Sequence, residues 1–226
     1  MARLARIVLP GLPHHVTQRG NGRQQTFFSD SDYALYRDLL REHCRKAEVA
    51  VWSWVLMPNH VHLVLVPPDA DGLRRALAPL HRAYAGRVHE RLQRTGHFWQ
   101  GRFGCVAMDE AHTHAAILYG LMNPVRAGLV RRALDWRWSS VHALLGRGDD
   151  FITDVAAVRE RLPDLELRLV AGEEAEASER LRRAESIGRP VGDAAFLAAV
   201  ERLAGRQLAP AKRGRKLKLE ISALSP

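Results

Sequence analysis

An α+β fold built on a four-stranded antiparallel sheet is what this 226-residue sequence predicts, and three observations lead there. Two β-prone apolar runs, 49–57 and 60–66, are separated only by Pro58-Asn59, which is the pattern of an antiparallel hairpin. On either side of it lies a segment with apolar residues at i, i+3/i+4 spacing, which reads as an amphipathic helix. Shorter β-prone runs at 14–19 and 103–108 flank the set.

His14-His15-Val16-Thr17-Gln18-Arg19 reads as the first strand, closed by the polar turn Gly20-Asn21-Gly22-Arg23. Ser29, Asp30, Ser31 and Asp32 offer helix N-caps. Tyr33, Tyr36, Leu39, Leu40 and His43 follow at helical spacing, so the first helix runs over about 31–47. The apolar content of the hairpin places its strands as a central, buried pair. The next helix spans about 69–94, with Leu73, Leu77, Leu80, Tyr84, Val88 and Leu92 along one stripe. A loop at 96–102 leads to the fourth strand. The third helix starts at Asp109-Glu110 and is expected to stop near 121–122, because Asn123-Pro124 follows. Strand, helix, strand, strand, helix, strand, helix is the split βαβ, ferredoxin-like order, expected over about 12–130 with the helices on one face of the sheet. Trp136-Arg137-Trp138-Ser139-Ser140 should pack back on this core. The character changes near Gly146, which divides the chain into a core domain, 1–146, and a mostly helical extension, 147–226. The extension breaks at 187–190 and ends in a basic cluster at 212–218.

Composition narrows the classes of function. Hydrophobic residues make up 46% of the chain, which excludes wholesale disorder. No apolar run approaches the ~20 residues of a membrane span. The first residues lack a signal-peptide pattern, and Cys44 and Cys105 form no CxxC pair, so a cytoplasmic protein without a thiolate metal site is expected. The net charge is +9, and 30 of the 34 basic residues are arginine, whose planar fork suits phosphate oxygens. Residues 151–226 hold 14 basic and 12 acidic side chains against 20 and 13 in the first 150, so the excess sits on the core. A polyanion, most often nucleic acid, is the expected partner; Arg-rich codon usage would give a similar composition.

His60-Val61-His62 lies in a predicted strand, where residues i and i+2 share a face about 7 Å apart. Two imidazoles so placed can converge on one divalent cation, and their apolar surroundings make unpartnered polar groups costly. His112-Thr113-His114 has the same spacing in a predicted helix, where the pair diverges. Tyr119 and Asn123, at i and i+4, stack on one face of the third helix. Each also has a plainer reading: paired strand histidines, a core tyrosine, and a helix C-cap before proline.

These residues resemble a known family. Met57-Pro58-Asn59-His60-Val61-His62, followed by Leu118-Tyr119-Gly120-Leu121-Met122-Asn123-Pro124-Val125-Arg126-Ala127-Gly128, is similar to the HUH-type single-tyrosine transposases, and most of all to their REP-associated branch. His15-Val16-Thr17-Gln18-Arg19-Gly20-Asn21, Trp99-Gln100-Gly101-Arg102-Phe103, Trp138-Ser139-Ser140 and Gly188-Arg189-Pro190-Val191-Gly192 agree in order, so the resemblance covers most of the chain. It implies a ferredoxin-like nuclease in residues 1–146 that cuts single-stranded DNA beside palindromic hairpins. It implies His60 and His62 as ligands of Mg²⁺ or Mn²⁺, Tyr119 as the nucleophile, and Asn123 as a third ligand where insertion-sequence relatives carry glutamine. The repeat-associated branch implies a monomer, whereas insertion-sequence relatives form dimers. Gly120 stands where a bulkier residue is usual.

Expected contacts to DNA are Arg19, Arg23, Arg102 and Arg126, with Trp99 as a stacking surface and Lys212, Arg213, Arg215 and Lys216 adding salt-sensitive phosphate affinity. Two other classes compete: a non-catalytic single-strand-binding module, and a metallonuclease that uses water as the nucleophile.

Overall fold

The computed structural model describes residues 6–172 and 188–205, together with Glu179 and Arg183. Four strands, β1 (His14–Arg19), β2 (Ala50–Met57), β3 (His60–Val66) and β4 (Gly104–Ala107), form one antiparallel sheet in the order β2-β3-β1-β4. This is the ferredoxin-like arrangement the element order predicts. β1 has the expected bounds. The Pro58-Asn59 turn joins β2 and β3 in a register that sets Met57 opposite His60.

Two cores form, one on each face of the sheet. α1 (Asp30–Lys46) and α2 (Gly72–Leu92) cover the first face, burying Val16, Val61, Leu63, Leu65, Leu77, Leu80 and Tyr84 with them. Asp32 ties the pair together: its carboxylate accepts from the Phe28 and Ser29 N–H groups, and Arg91 of α2 reaches it at 2.6 Å. α3 (Glu110–Arg126) crosses the opposite face, on Val55, Met57, Val64 and Val106. The expectation of helices on one face is therefore corrected. β3 is buried at both alternating sets of positions up to Leu65, as a strand covered on both faces must be.

β2 is an edge strand, not a central one, and its edge is covered by the chain itself. Leu56 N–H donates to Trp138 O, and Ser140 N–H to Trp54 O, both at 2.9 Å. Asp154 N–H donates to Val51 O at 2.8 Å. Such pairing removes an open ladder that would otherwise recruit other chains. Within β2 the register slips between Val51 and Ser53. Val51 and Trp54, an odd number of residues apart, can both join the first core only because of that extra residue.

The stretch after the core packs on the same layers. α4 (Val141–Leu144), α5 (Val155–Arg161) and α6 (Leu165–Ala171) add Val141, Leu144, Val158, Leu162 and Leu165 to the second core. Further on, Val191 lies against β4: its N–H donates to Ala107 O, and its carbonyl accepts from Asp109 N–H. Asp109 is also the N-cap of α3, bonded to the His112 N–H and ring, and it accepts from Asp193 N–H at 2.9 Å. A Cβ on Gly192 would fall 2.3 Å from the Phe196 ring, so glycine permits this close turn into α7 (Ala194–Ala204). Among the described residues no helix is long and apolar enough to cross a membrane.

α3 also runs past its expected stop, to Arg126 with Pro124 inside. Proline removes one backbone donor, here in the last turn, and Ala127 N–H and Leu129 N–H still close on Asn123 O and Pro124 O at 2.9 Å. Asn123 is thus a helical residue rather than the cap.

The buried histidines of the scaffold make folding acid-sensitive. Burial takes His14 down to about 4. Burial, with a smaller contribution from the charge of Arg6, takes His81 down to about 3. The unfolded chain protonates these rings near the ordinary value of ~6.5, so between that pH and the folded values it binds more protons than the native state. Stability is therefore highest above pH 6.5 and falls as the pH drops toward 4. Urea melts at several pH values check this, and an unchanged midpoint from pH 7 to 4.5 would contradict it.

Candidate active site

The alternation of β3 sends Val61, Leu63 and Leu65 to the first core and leaves His60 and His62 on the face that α3 covers. Their ring centroids lie 4.9 Å apart with planes at 81°. The rings are thus closer than the ~7 Å that two residues of strand rise would give. Both are buried.

Each histidine meets one polar partner. Asn59 Oδ1 lies 2.6 Å from His60 Nδ1, and Asn59 Nδ2 donates to Arg23 O at 3.0 Å. A carbonyl only accepts, so the amide must present its oxygen to His60, and His60 must carry its proton on Nδ1. His62 Nδ1 lies 3.0 Å from His15 Nε2 of β1, with the two rings nearly parallel. His62 Nε2 is buried without a hydrogen-bond partner. Burial, then the charge of Arg19, takes His60 down to about 3. Burial takes His62 well below the ordinary range, reinforced by His15, His60, Arg19 and Arg126. Both rings are therefore neutral at physiological pH, the form that binds metal.

Tyr119 comes to the same place from α3. Its ring stands edge-on to His62, with centroids 5.3 Å apart at 83°, and 6.2 Å from His15. The residue is 8% exposed. Arg126, two turns on, lays its guanidinium carbon 3.9 Å over the Tyr119 ring centroid and donates to Tyr119 O at 2.9 Å. A Cβ at Gly120 would meet Val55 and His62 at 3.6 and 3.7 Å, ordinary van der Waals contact, so α3 lies close on the sheet there without requiring glycine. Asn123 is half-buried one turn beyond Tyr119.

A phenol, two imidazoles and a guanidinium thus meet over one face of a ferredoxin-like sheet, and known proteins share this frame. The profile of the family described as "Transposase IS200 like" matches residues 10–119, a span that holds His60, His62 and Tyr119. Residues 10–119 are similar to that family. The REP-associated tyrosine transposase of Escherichia coli (strain K12) is 26% identical over 128 residues, covering 52% of this chain and 70% of that protein. A solved REP-associated tyrosine transposase bound to a REP hairpin superposes with a TM-score of 0.56 at 23% identity, covering 69% of this chain and 93% of the other, which establishes a common fold.

In this IS200-like frame the expected DNA contacts separate. Arg19 ends β1 opposite His60 and, with Arg126, keeps the site positive. Arg23 and Arg102 are exposed, Arg23 in the turn that Asn59 holds. Trp99 is half-buried and packs within the fold. Its indole N–H donates to His81 O at 3.0 Å, and its ring sits against Phe98, His81 and Tyr84, which pins the 96–103 loop on α2. Arg126 is more than a surface cation, because it covers the tyrosine. Lys212, Arg213, Arg215 and Lys216 lie outside the described residues. His112 and His114 pair with Asp109 and Glu110 on the first turns of α3 and take no part in the site.

The imidazoles fit a divalent cation on chemical grounds: His60 keeps Nε2 as its lone pair, and His62 Nε2 is an orphaned buried nitrogen. No trio of His, Cys, Asp or Glu arranged for a metal occurs among the described residues. Further ligands would then be oxygens, from Asn123 or a bound phosphate. His15 and Asn59 are the site residues that motif reading passed over. Both stand inside the motif segments that carry the family resemblance, but nothing in their spacing points to the two histidines they meet.

Proposed function

We propose that the protein is a single-stranded DNA endonuclease and strand transferase, a transposase acting beside palindromic repeat hairpins through a 5′-phosphotyrosine on Tyr119. The observation that carries this is the edge-on meeting of Tyr119 with His62, across two elements 57 residues apart in sequence, inside a match to IS200-like transposases. The hairpin follows from the REP-associated relatives, one of them solved with a REP hairpin bound.

Tyr119 Oη attacks the scissile phosphorus in line. The Oη–P bond forms, the bond from phosphorus to the 3′-oxygen breaks, the phenol loses its proton, and the leaving oxygen takes up a proton to become a free 3′-OH. The phosphotyrosine conserves the energy of the phosphodiester, so a second 3′-OH can reverse the step without a nucleotide cofactor. His60 and His62, with Asn123, would hold Mg²⁺ or Mn²⁺. When bound, the cation supplies Lewis-acid polarisation of a non-bridging phosphate oxygen. Arg126 orients the tyrosine ring, and Arg19 adds positive charge where the phosphate must come. Arg23 and Arg102, with the basic residues at 212–216, supply phosphate contacts whose strength falls with salt. α3 is tied at its N-terminus to residue 193 of its own chain, which supports a monomer in which Tyr119 acts in cis.

The test is a denaturing gel of labelled single-stranded oligonucleotides bearing the host's palindromic repeats, with Mn²⁺ or Mg²⁺ and with EDTA. The expected product is a slow, protease-sensitive adduct beside a fragment ending in 3′-OH, absent with EDTA. Cutting with no adduct would replace the tyrosine with water. Binding with no cutting would leave a single-strand-binding module. Light scattering should give a mass near the 25.4 kDa of one chain.

A further inference from the structure

We infer that His15 and Asn59 are positioning residues that hold His62 and His60 in the Nδ1–H tautomer, so that both Nε2 atoms are left as lone pairs for a divalent cation. The inference rests on the metal-site reading above and goes beyond it, because it assigns work to two residues that touch neither substrate nor metal.

For His60 the assignment follows from hydrogen-bond polarity. Asn59 spends its N–H₂ on the Arg23 carbonyl at 3.0 Å, so only Oδ1 can face His60 Nδ1 at 2.6 Å. The hairpin turn and the 20–23 turn fix that amide from both sides: Gly20 N–H donates to Asn59 O, and Thr26 and Phe27 N–H donate to Pro58 O. The Pro58-Asn59 turn therefore links two strands and also sets the proton of the histidine that follows it.

For His62 two tautomers satisfy the 3.0 Å contact with His15 Nε2. In one, His15 donates, and the partnerless Nε2 of His62 must carry a buried N–H with nothing to receive it. In the other, His62 Nδ1–H donates to His15 Nε2, His15 carries its own proton on its buried Nδ1, and the orphaned atom of His62 is a lone pair. Either tautomer puts one buried N–H of the pair, on His62 Nε2 or on His15 Nδ1, at a similar cost of about 1–3 kcal/mol, so burial does not choose between them; only the second leaves His62 Nε2 a lone pair, the state a ligand needs. Metal-binding histidines commonly donate their second N–H to a fixed acceptor, and loss of that acceptor weakens metal binding by about 10–100-fold. β1 is suited to this service. Its register sets His15 opposite Val64 and Thr17 opposite His62, so His15 reaches His62 diagonally, on the same face.

The first measurement is ¹⁵N NMR of the imidazoles in the metal-free protein, which reads the tautomers without activity or metal. Nδ1–H on both His60 and His62 is expected; Nε2–H on either overturns the assignment for that residue. The second is Mn²⁺ affinity without DNA for wild type, His15→Leu, His15→Gln, Asn59→Leu and Asn59→Asp. The leucine variants, which lack an acceptor, should bind Mn²⁺ about 10–100-fold more weakly, and the acceptor-bearing variants should recover most of that loss. Wild-type affinity in His15→Leu, while His62→Ala loses Mn²⁺, would overturn the positioning role and leave the metal site standing. Wild-type affinity in both His60→Ala and His62→Ala would remove the metal site, and the inference with it. If a leucine variant does not fold, the wild-type tautomers still decide.

Discussion

Tyr119→Phe is expected to abolish the covalent protein–DNA adduct while leaving the fold and DNA binding intact. Phenylalanine keeps the ring that fills the second core beside Ile117, Leu121 and Val106. It also keeps the edge contact with His62 and a face for the Arg126 guanidinium. Only the oxygen nucleophile is lost. Removal of an attacking atom typically costs well over 10³-fold in rate. The packing change should stay within about 1 kcal/mol, because the volume is nearly conserved. The measurement is the labelled-strand gel, with a thermal melt and a binding titration on the same sample. An undiminished adduct would show that another residue attacks; strand cutting at the wild-type rate without an adduct would point to water. Arg126→Gln is the informative companion, since it spares the nucleophile and removes only the stacked cation. At the ~0.5–2 kcal/mol typical of a cation–π contact, adduct formation should slow by roughly 2–30-fold. A larger fall in DNA affinity than in single-turnover rate would make Arg126 a phosphate contact first.

His60→Ala and His62→Ala should each remove Mn²⁺ binding and lower cleavage by roughly 10³-fold, with single-strand binding kept. The two differ in their side effects. His60 sits at the start of β3, so its loss disturbs little beyond Asn59. His62 is central, stacked on His15 and against Tyr119, so alanine there opens space beneath the tyrosine. His60→Ala is therefore the cleaner test of the metal, and His62→Ala should also lower the melting temperature. Calorimetric titration with Mn²⁺ and the gel assay read both effects. Cleavage by His60→Ala at the wild-type rate in EDTA would sink the metal-assisted reading.

Much of the scaffold was legible because it depends on local pattern. The strand at His14–Arg19, the hairpin closed by Pro58-Asn59 and the stripe from Leu73 to Val88 are written in neighbouring residues. The pairing of His60 with His62 follows from strand alternation alone. Where reading failed, the deciding contact was distant. Pro124 reads as a stop, yet the helix passes through it, because one missing backbone bond in a last turn costs less than the packing of α3 on the sheet gains. The packing of Trp99 was equally hidden, because its N–H goes to the backbone of His81, 18 residues away.

By itself, then, the sequence determined the order and kind of the elements, the face shared by the two histidines, and the tyrosine one helical turn from Asn123. These follow from periods of two and about 3.6 residues, which act over short stretches of chain. The tertiary structure alone decided that α3 lies on the face opposite α1 and α2, that Tyr119 meets His62 there, and that His15, Asn59 and Arg126 close around them. Which side of a sheet a helix takes depends on how a crossover connection packs, and a hydrogen bond between residues 47 positions apart leaves no trace in either residue's neighbours.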